Sequence, residues 1–374
     1  MELREAFHPP ERSLVAATVT IAATYVYFLV FAQFGFLKAL TAWGPGNAWL
    51  RPVMATMGAA GIAGGWFMAR WFRENKGRER VMAGFGIVAA GAGLAWLARN
   101  PAMFLLCAGL IGAGLGMVTV GLAGLVRREV GGGWLGRCIG TGTGAAYAVC
   151  NLPGVFNGSA SAQALLGVVA ACTGVIAVQL FEQRGPRQQA GGYDYSGVGK
   201  TVWIGIFLVL VCTDSAAFFI IQNTPELKQA SWAGQASLWL NAGVHLVAGV
   251  GAGFLLDRRW VAGTAGIGAA LLLVACALFH VGADCYAIEA ALYSAGVSAY
   301  SAALVFYPAR FARPGLAALV YGVAGWTGSA LGVGLALGRH QVPAWLPAVA
   351  GGALAVLFFV LHHGRKGAAN FVQK

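Results

Sequence analysis

Gly61-Ile-Ala-Gly-Gly-Trp-Phe-Met-Ala69-Arg70-Trp-Phe-Arg73-Glu-Asn-Lys76-Gly-Arg78-Glu-Arg80-Val81-Met-Ala-Gly-Phe85 sets an apolar run against a dense basic turn and then against a second apolar run. Followed outward, each run reaches the length of roughly 20 residues that a helix needs to cross a hydrocarbon layer. Five cations between them mark one side of a membrane, because Lys and Arg collect in the cytoplasmic connections of such chains. The pattern recurs along the sequence. Apolar windows predict spans near 13–35, 48–69, 81–98, 102–125, 138–157, 160–181, 201–222, 233–255, 261–281, 286–307, 316–336 and 343–362. The expected fold is all-α and polytopic, with twelve transmembrane helices in two pseudo-symmetric six-helix bundles.

Composition agrees with a lipid-embedded chain. Of 374 residues 58% are hydrophobic and 10% charged, with a mean hydropathy of +0.70, whereas soluble domains carry about 25% charged residues. With the N-terminus placed inside, all of the 25 Lys and Arg except Lys38, Arg51, Arg99, Lys228 and Arg339 fall at the termini or in alternate connections. That asymmetry predicts an even number of crossings and both termini cytoplasmic, with the bacterial inner membrane as the expected location. The net charge of +12 is then topological. Its short clusters beside apolar spans do not form the stripe expected of a nucleic-acid binder. The first apolar run is long and lacks a small-residue cleavage site, so it is expected to stay as the first helix. Six cysteines, Cys107, Cys138, Cys150, Cys172, Cys212 and Cys276, fall in spans without a CxxC pair and read as buried apolar residues; Cys285 lies by an outside turn.

The longest polar connection, 182–200, separates an N-terminal unit, 1–181, from a C-terminal unit, 201–374. Sliding the second unit onto the first by 188 or 189 positions brings Thr24-Tyr25 onto Thr213-Asp214, Gln33 onto Gln222, Gly65-Trp66 onto Gly253-Phe254 and Arg70 onto Arg258. Leu37-Lys38 falls on Leu227-Lys228 with one further residue inserted. A duplicated six-helix unit is the reading. Gly253-Phe-Leu-Leu-Asp257-Arg258-Arg259, at the end of the second helix of its half, resembles the Gly-x-x-x-Asp-Arg turn of the major facilitator superfamily, as do the six-plus-six helices and the central loop. The N-terminal copy keeps Gly65 and Arg70 but has Ala69 in place of the acid. In such a turn glycine lets two helices approach, while acid and base bind neighbouring helix ends in one conformational state. The fifth span carries Gly140-Thr-Gly142-Thr-Gly144 and ends in Asn151-Leu-Pro153-Gly154, which reads as close packing followed by a bend.

Ionisable groups at membrane depth cost roughly 2.5–3.5 kcal/mol each, so they face a partner or a wet cavity. Asp214, just past the centre of span seven, and His245, near the centre of span eight, are the leading candidates for binding a proton or substrate; an interhelical hydrogen bond is the alternative. Asn241, one turn before His245, is placed to orient the imidazole. Glu289 and Asp284 belong to the outer end of span ten, with His280 just before them at the end of span nine; Glu289 reads as an external gate or proton entry, and Asp284 and His280 more simply as a solvated helix end. The resemblance implies that Tyr25, Gln33, Asp214 and Gln222 line the translocation path. Trp43, Trp49, Trp232 and Trp239 read as interfacial belt residues.

No GxxxxGK[ST], HExxH or GxSxG occurs, so neither an enzyme nor a cofactor is expected. Met54 and Met57 with His245 are a weak pointer to soft-metal handling and read first as packing. The function expected is secondary active transport of a small solute by alternating access, proton-coupled through Asp214, in a monomer. The solute expected is organic and uncharged or cationic, and the direction of transport is open. The alternative is a membrane assembly factor or lipid-handling protein on the same fold.

Overall fold

Hydrocarbon offers no partners to backbone N–H and C=O groups, so a lipid-embedded chain satisfies them within helices. In the computed structural model, which describes residues 11–43, 46–181, 197–279 and 286–372, the apolar runs are helical and no strand occurs among the described residues. In chain order the helices are α1 (Glu11–Ala42), α2 (Gly46–Trp71), α3 (Gly77–Leu97), α4 (Pro101–Val130), α5 (Leu135–Cys150) and α6 (Ala160–Gln179). The second set is α7 (Gly197–Asn223), α8 (Gln235–Asp257), α9 (Val261–Leu278), α10 (Tyr286–Ala309), α11 (Pro314–Ala336) and α12 (Trp345–Val372). Ten of these twelve are long and apolar enough to cross a membrane unaided. The other two are α2, rich in Gly and Ala, and α5, which has 16 residues. Most of the predicted connection 182–200 lies outside the described residues, as do His280, Asp284 and Cys285.

Local sequence ends several helices where the periodicity stops. Asn100 caps α4 by accepting from Met103 N at 2.9 Å, with Pro101 in the first turn, where its missing N–H costs nothing. Ser159 caps α6 in the same way. The C-terminus of α4 is closed by Gly131 at φ 69°, a conformation that side chains with a Cβ resist. Two helices are π-helical over part of their length, α1 at Tyr27–Gly35 and α11 at Tyr321–Thr327.

Packing repeats between the halves. In the first, α1 packs on α5 and α6, α2 on α4, and α3 on α4 and α6; in the second, α7 packs on α11 and α12, α8 on α10, and α9 on α10 and α12. Adding six to each helix number in the first set yields the second, which is the mark of two pseudo-symmetric six-helix bundles. The bundles meet along α5–α8 and, related by the same pseudo-symmetry, along α2–α11. Large apolar side chains such as Leu106, Ile176, Val247 and Phe359 are exposed on the outside of the molecule, where lipid covers them. Cys172 is on that exposed surface and Cys212 is half-buried, against the expectation that all six span cysteines are buried.

Candidate functional site

Polar side chains at mid-depth converge on α10, whose run Tyr293-Ser-Ala-Gly-Val-Ser298-Ala-Tyr300-Ser301 carries hydroxyls on two adjoining faces. Tyr293 and Tyr300, two turns apart, present one face to α7. The Tyr293 hydroxyl donates to Asp214 Oδ1 and lies 3.2 Å from the Asp214 carbonyl, and the Tyr300 hydroxyl donates to Asp214 Oδ2. Asp214 thus holds one tyrosine on each carboxylate oxygen. Among the described residues no cation pairs with it.

Ser298 and Ser301 face α8 and α5. Ser298 Oγ is 2.8 Å from His245 Nδ1, and the imidazole lies flat on the Tyr147 ring, centroids 4.8 Å apart at 10°. Tyr147 Oη is 3.1 Å from Ser301 Oγ. Tyr147 belongs to the first bundle and its partners to the second, so this layer spans the seam between bundles. One turn toward the loops, Trp232 donates its indole N–H to Asn151 Oδ1 at 3.2 Å and sets its ring edge against Tyr293.

Several expectations need correcting. Asn241 does not orient His245: its amide nitrogen donates to Ser231 O at 3.2 Å, and Ser298 holds the imidazole instead. Trp232 is no belt residue, since the short helix Pro225–Trp232 folds back and buries it; Trp239 is exposed as expected. Asp214 and His245 are not bonded to each other. Neither lines the cavity at the bundle interface, which encloses about 20 Å³ between Tyr25, Thr24, Thr119, Ile139, Val305 and Tyr321, room for about one water. Tyr25 does line it.

Glu289 is fully buried, and among the described residues neither carboxylate oxygen finds a hydrogen-bond partner. Among the described residues the Gln222 amide is likewise enclosed without a hydrogen-bond partner, while Gln33 is half-buried. The sequence reading missed Tyr147, Tyr293, Tyr300, Ser298, Ser301 and Trp232. The hydroxyl run in α10 was the available signal, because Tyr and Ser recurring at helical spacing inside an apolar span is itself a cost that needs partners.

The two ends of the molecule are closed differently. At the end carrying the basic connections, Asp257 of α8 caps α5 across the seam: its carboxylate accepts from Gly136 N at 2.6 Å, Arg137 N at 3.2 Å and Arg137 Nε at 2.7 Å. Arg137 also lies 3.7 Å from the Trp134 ring centroid. Arg258, next to the capping acid, is exposed. In the first bundle Gly65 packs on Val120 of α4, and Arg70 lies over Trp66, without an acid among the described residues. At the opposite end Phe34 of α1 meets both Phe218 of α7 and Phe156, each at 5.8 Å between centroids.

At the level of sequence, no family model and no curated relative matches the chain. Its fold does match solved structures. The major facilitator superfamily transporter FucP in the outward conformation aligns at 14% identity over 93% of this chain and 97% of that one, TM-score 0.60; FucP is the E. coli fucose:proton symporter. The human organic anion transporter MFSD10 aligns at 13% identity over 95% and 100%, TM-score 0.65. A bacterial homologue of the iron transporter ferroportin, outward-facing, aligns at 12% identity over 95% and 98%, TM-score 0.64. At such identities the likeness is one of fold, and the chain has the major facilitator fold.

Proposed function

We propose that the protein is a secondary active transporter that carries a small solute by alternating access and couples it to a proton on Asp214. The observation that carries this reading is a mid-depth carboxylate held, among the described residues, by two tyrosine hydroxyls of a neighbouring helix, on a fold shared with a fucose:proton symporter, an organic anion transporter and a bacterial homologue of the iron transporter ferroportin. An ionised Asp214 accepts from Tyr293 and Tyr300 together. Once protonated it must donate at one oxygen, so one tyrosine bond is lost or reversed. Loading a proton therefore rearranges the α7–α10 contact, and the bundles rock about the mid-depth layer. The basic connections are placed in the cytoplasm with both termini, and the membrane is the bacterial inner one.

In this scheme 1–181 and 201–374 move as the two bodies, joined by 182–200. Asp257 latches the cytoplasmic end of α5, and Phe34, Phe156 and Phe218 close the outer end. The experiment is a thermal-shift screen of the purified protein against a metabolite library at acidic and alkaline pH, followed by flux into proteoliposomes with the best ligand. Asp214→Asn is expected to abolish solute-driven proton movement while keeping solute exchange across the membrane. Undiminished proton movement in Asp214→Asn overturns the assignment.

A further inference from the structure

The short helix Pro225–Trp232 follows α7 at the end opposite the basic connections, the outer end in the reading above. Both of its ends are fastened within its own bundle. Thr224 Oγ1 donates to His340 O at 3.3 Å, beyond α11, and Ser231 O accepts from the Asn241 amide of α8 at 3.2 Å. Two of its side chains reach across to the first bundle. Trp232 donates its indole N–H to Asn151 Oδ1 at 3.2 Å, and Lys228 Nζ lies 5.8 Å from the Phe156 ring centroid. Asn151 is oriented for this bond, because its own amide nitrogen donates to Tyr147 O at 2.9 Å and leaves Oδ1 to the indole. Trp232 and Asn151 are both buried, so losing the bond while they stay enclosed leaves a donor and an acceptor unsatisfied.

Trp232 is also tied to the mid-depth carboxylate. Its ring meets the Tyr293 ring edge-on, centroids 5.7 Å apart at 87°, and the Tyr293 hydroxyl donates to Asp214 Oδ1. One tyrosine thus touches Asp214 with its hydroxyl and the short helix with its ring. When Asp214 takes a proton, one of its two tyrosine bonds is lost or reversed. Tyr293 has a second acceptor in reach, the Asp214 carbonyl 3.2 Å away, so it can give up Oδ1 and stay bonded to α7. A rigid ring that turns at its hydroxyl also shifts against its neighbour. We propose that the helix Pro225–Trp232 is a strap closing the outer end, with Trp232 as its latch on Asn151 and Tyr293 as the link through which protonation of Asp214 releases it. The inference rests on the transporter reading and adds which gate the proton opens. Trp232 acts in it as a positioning residue, through Tyr293.

The test is a distance across the outer end. Gly154→Cys, just after Asn151, and Glu226→Cys, on the short helix, are both at exposed positions; they carry spin labels in the full chain, its native cysteines replaced by alanine, in lipid nanodiscs at pH 5.5 and 8. Tyr293 and Tyr300 touch Asp214, Tyr147 of α5 and Cys276 of α9 stand within its field, Glu289 lies one turn beyond Tyr293, and His245 of α8 stacks on Tyr147. Elsewhere around α7, α11 brings only Tyr321, the short helix brings Glu226 and Lys228, and the histidines of α12 lie at its basic end. Carboxyls and the imidazole are the groups that titrate on the acid side of neutrality, and Asp214→Asn separates Asp214 from Glu289 and His245. The expected result is a short distance at pH 8 and a longer component that grows at pH 5.5. Trp232→Phe keeps a ring against Tyr293 without the N–H, and should raise the long-to-short ratio about fivefold at both pH values, the weight of one hydrogen bond. Tyr293→Phe and Asp214→Asn should each remove the pH response. A distance that ignores pH in the otherwise unaltered chain, a pH response kept in Tyr293→Phe or Asp214→Asn, or an unchanged ratio in Trp232→Phe overturns the proposal; the first of these decides even where a variant fails to fold. The two readings fail separately. A pH-driven opening that follows Trp232 and Tyr293 without flux of any solute removes the transporter and keeps the strap, whereas proton-coupled flux with an invariant outer distance does the reverse.

Discussion

The α5–α8 and α2–α11 seams occupy equivalent places about the pseudo-two-fold axis, yet they are built from different contacts. Along α5–α8, glycine faces glycine: a Cβ added at Gly140 would stand 2.2 Å from Gly249 O, and one at Gly253 would stand 2.6 Å from Gly136 O. Backbones touch there, and Asp257 bonds the end of the seam shut. Along α2–α11 a Cβ at Gly61 would strike the Trp326 ring at 2.3 Å. That ring also meets Phe28 of α1 edge-on, and both aromatics sit in π-helical segments. The position matching Asp257 is Ala69. One seam is therefore backbone-to-backbone with a charged lock, and the other is a side-chain plug against helices already loosened from α geometry. The two pseudo-symmetric seams therefore differ in how tightly they are packed, and the α2–α11 side is the looser of the two.

The largest test of this contrast is Gly140→Val. A branched side chain has nowhere to go against the Gly249 carbonyl, so the expected cost reaches or passes the top of the roughly 1–3 kcal/mol range for overpacking. Loss of monodisperse folded protein in size-exclusion chromatography checks it; a normal elution profile and melting point would show that the seam is not backbone-tight.

Asp257→Ala comes next. It removes three hydrogen bonds, one of them to a guanidinium, at the start of α5; the expected loss is about 2 kcal/mol for a closed basic end. The readout is faster labelling of a cysteine placed at Gly133, at the turn before α5, with the melting point falling in parallel. Unaltered labelling would mean that the latch adds nothing to closure.

The smallest effect is expected of Ala69→Asp, which gives the α2–α11 seam the acid that its counterpart has. Close to the N-terminus of α11, the new carboxylate should stabilise the closed form by about 0.5–1 kcal/mol. A modest rise in melting point, erased by moderate salt, would sharpen the comparison; a fall would show that the α11 start does not stand where the repeat places it.

Much of the architecture was legible because it is one-dimensional. The basic turn from Arg70 to Arg80 and its later counterparts separate apolar runs whose lengths match the bilayer, and each run became a helix. The turn at Gly253–Arg259 was legible for the same reason, since its glycine and acid act over a few residues. Asp214 stood out because a carboxylate in an apolar helix has few explanations. What it binds did not stand out: Tyr293 and Tyr300 lie 79 and 86 residues away, and no spacing rule links α7 to α10. The roles given to Asn241 and Trp232 failed on the same ground, because each was read along its own helix while its partner came from another.

By itself the sequence determined the number of crossings, the face that collects cations, the duplicated plan and the presence of a lone mid-depth acid; these follow from hydropathy and charge, which lipid and the membrane potential read residue by residue. Tertiary structure alone decided which hydroxyls hold that acid, that Tyr147 rather than Asn241 accompanies His245, and that one seam is locked while its twin is plugged. Such pairings depend on the rotation and depth of each helix against its neighbours, and those are set by close packing of whole surfaces.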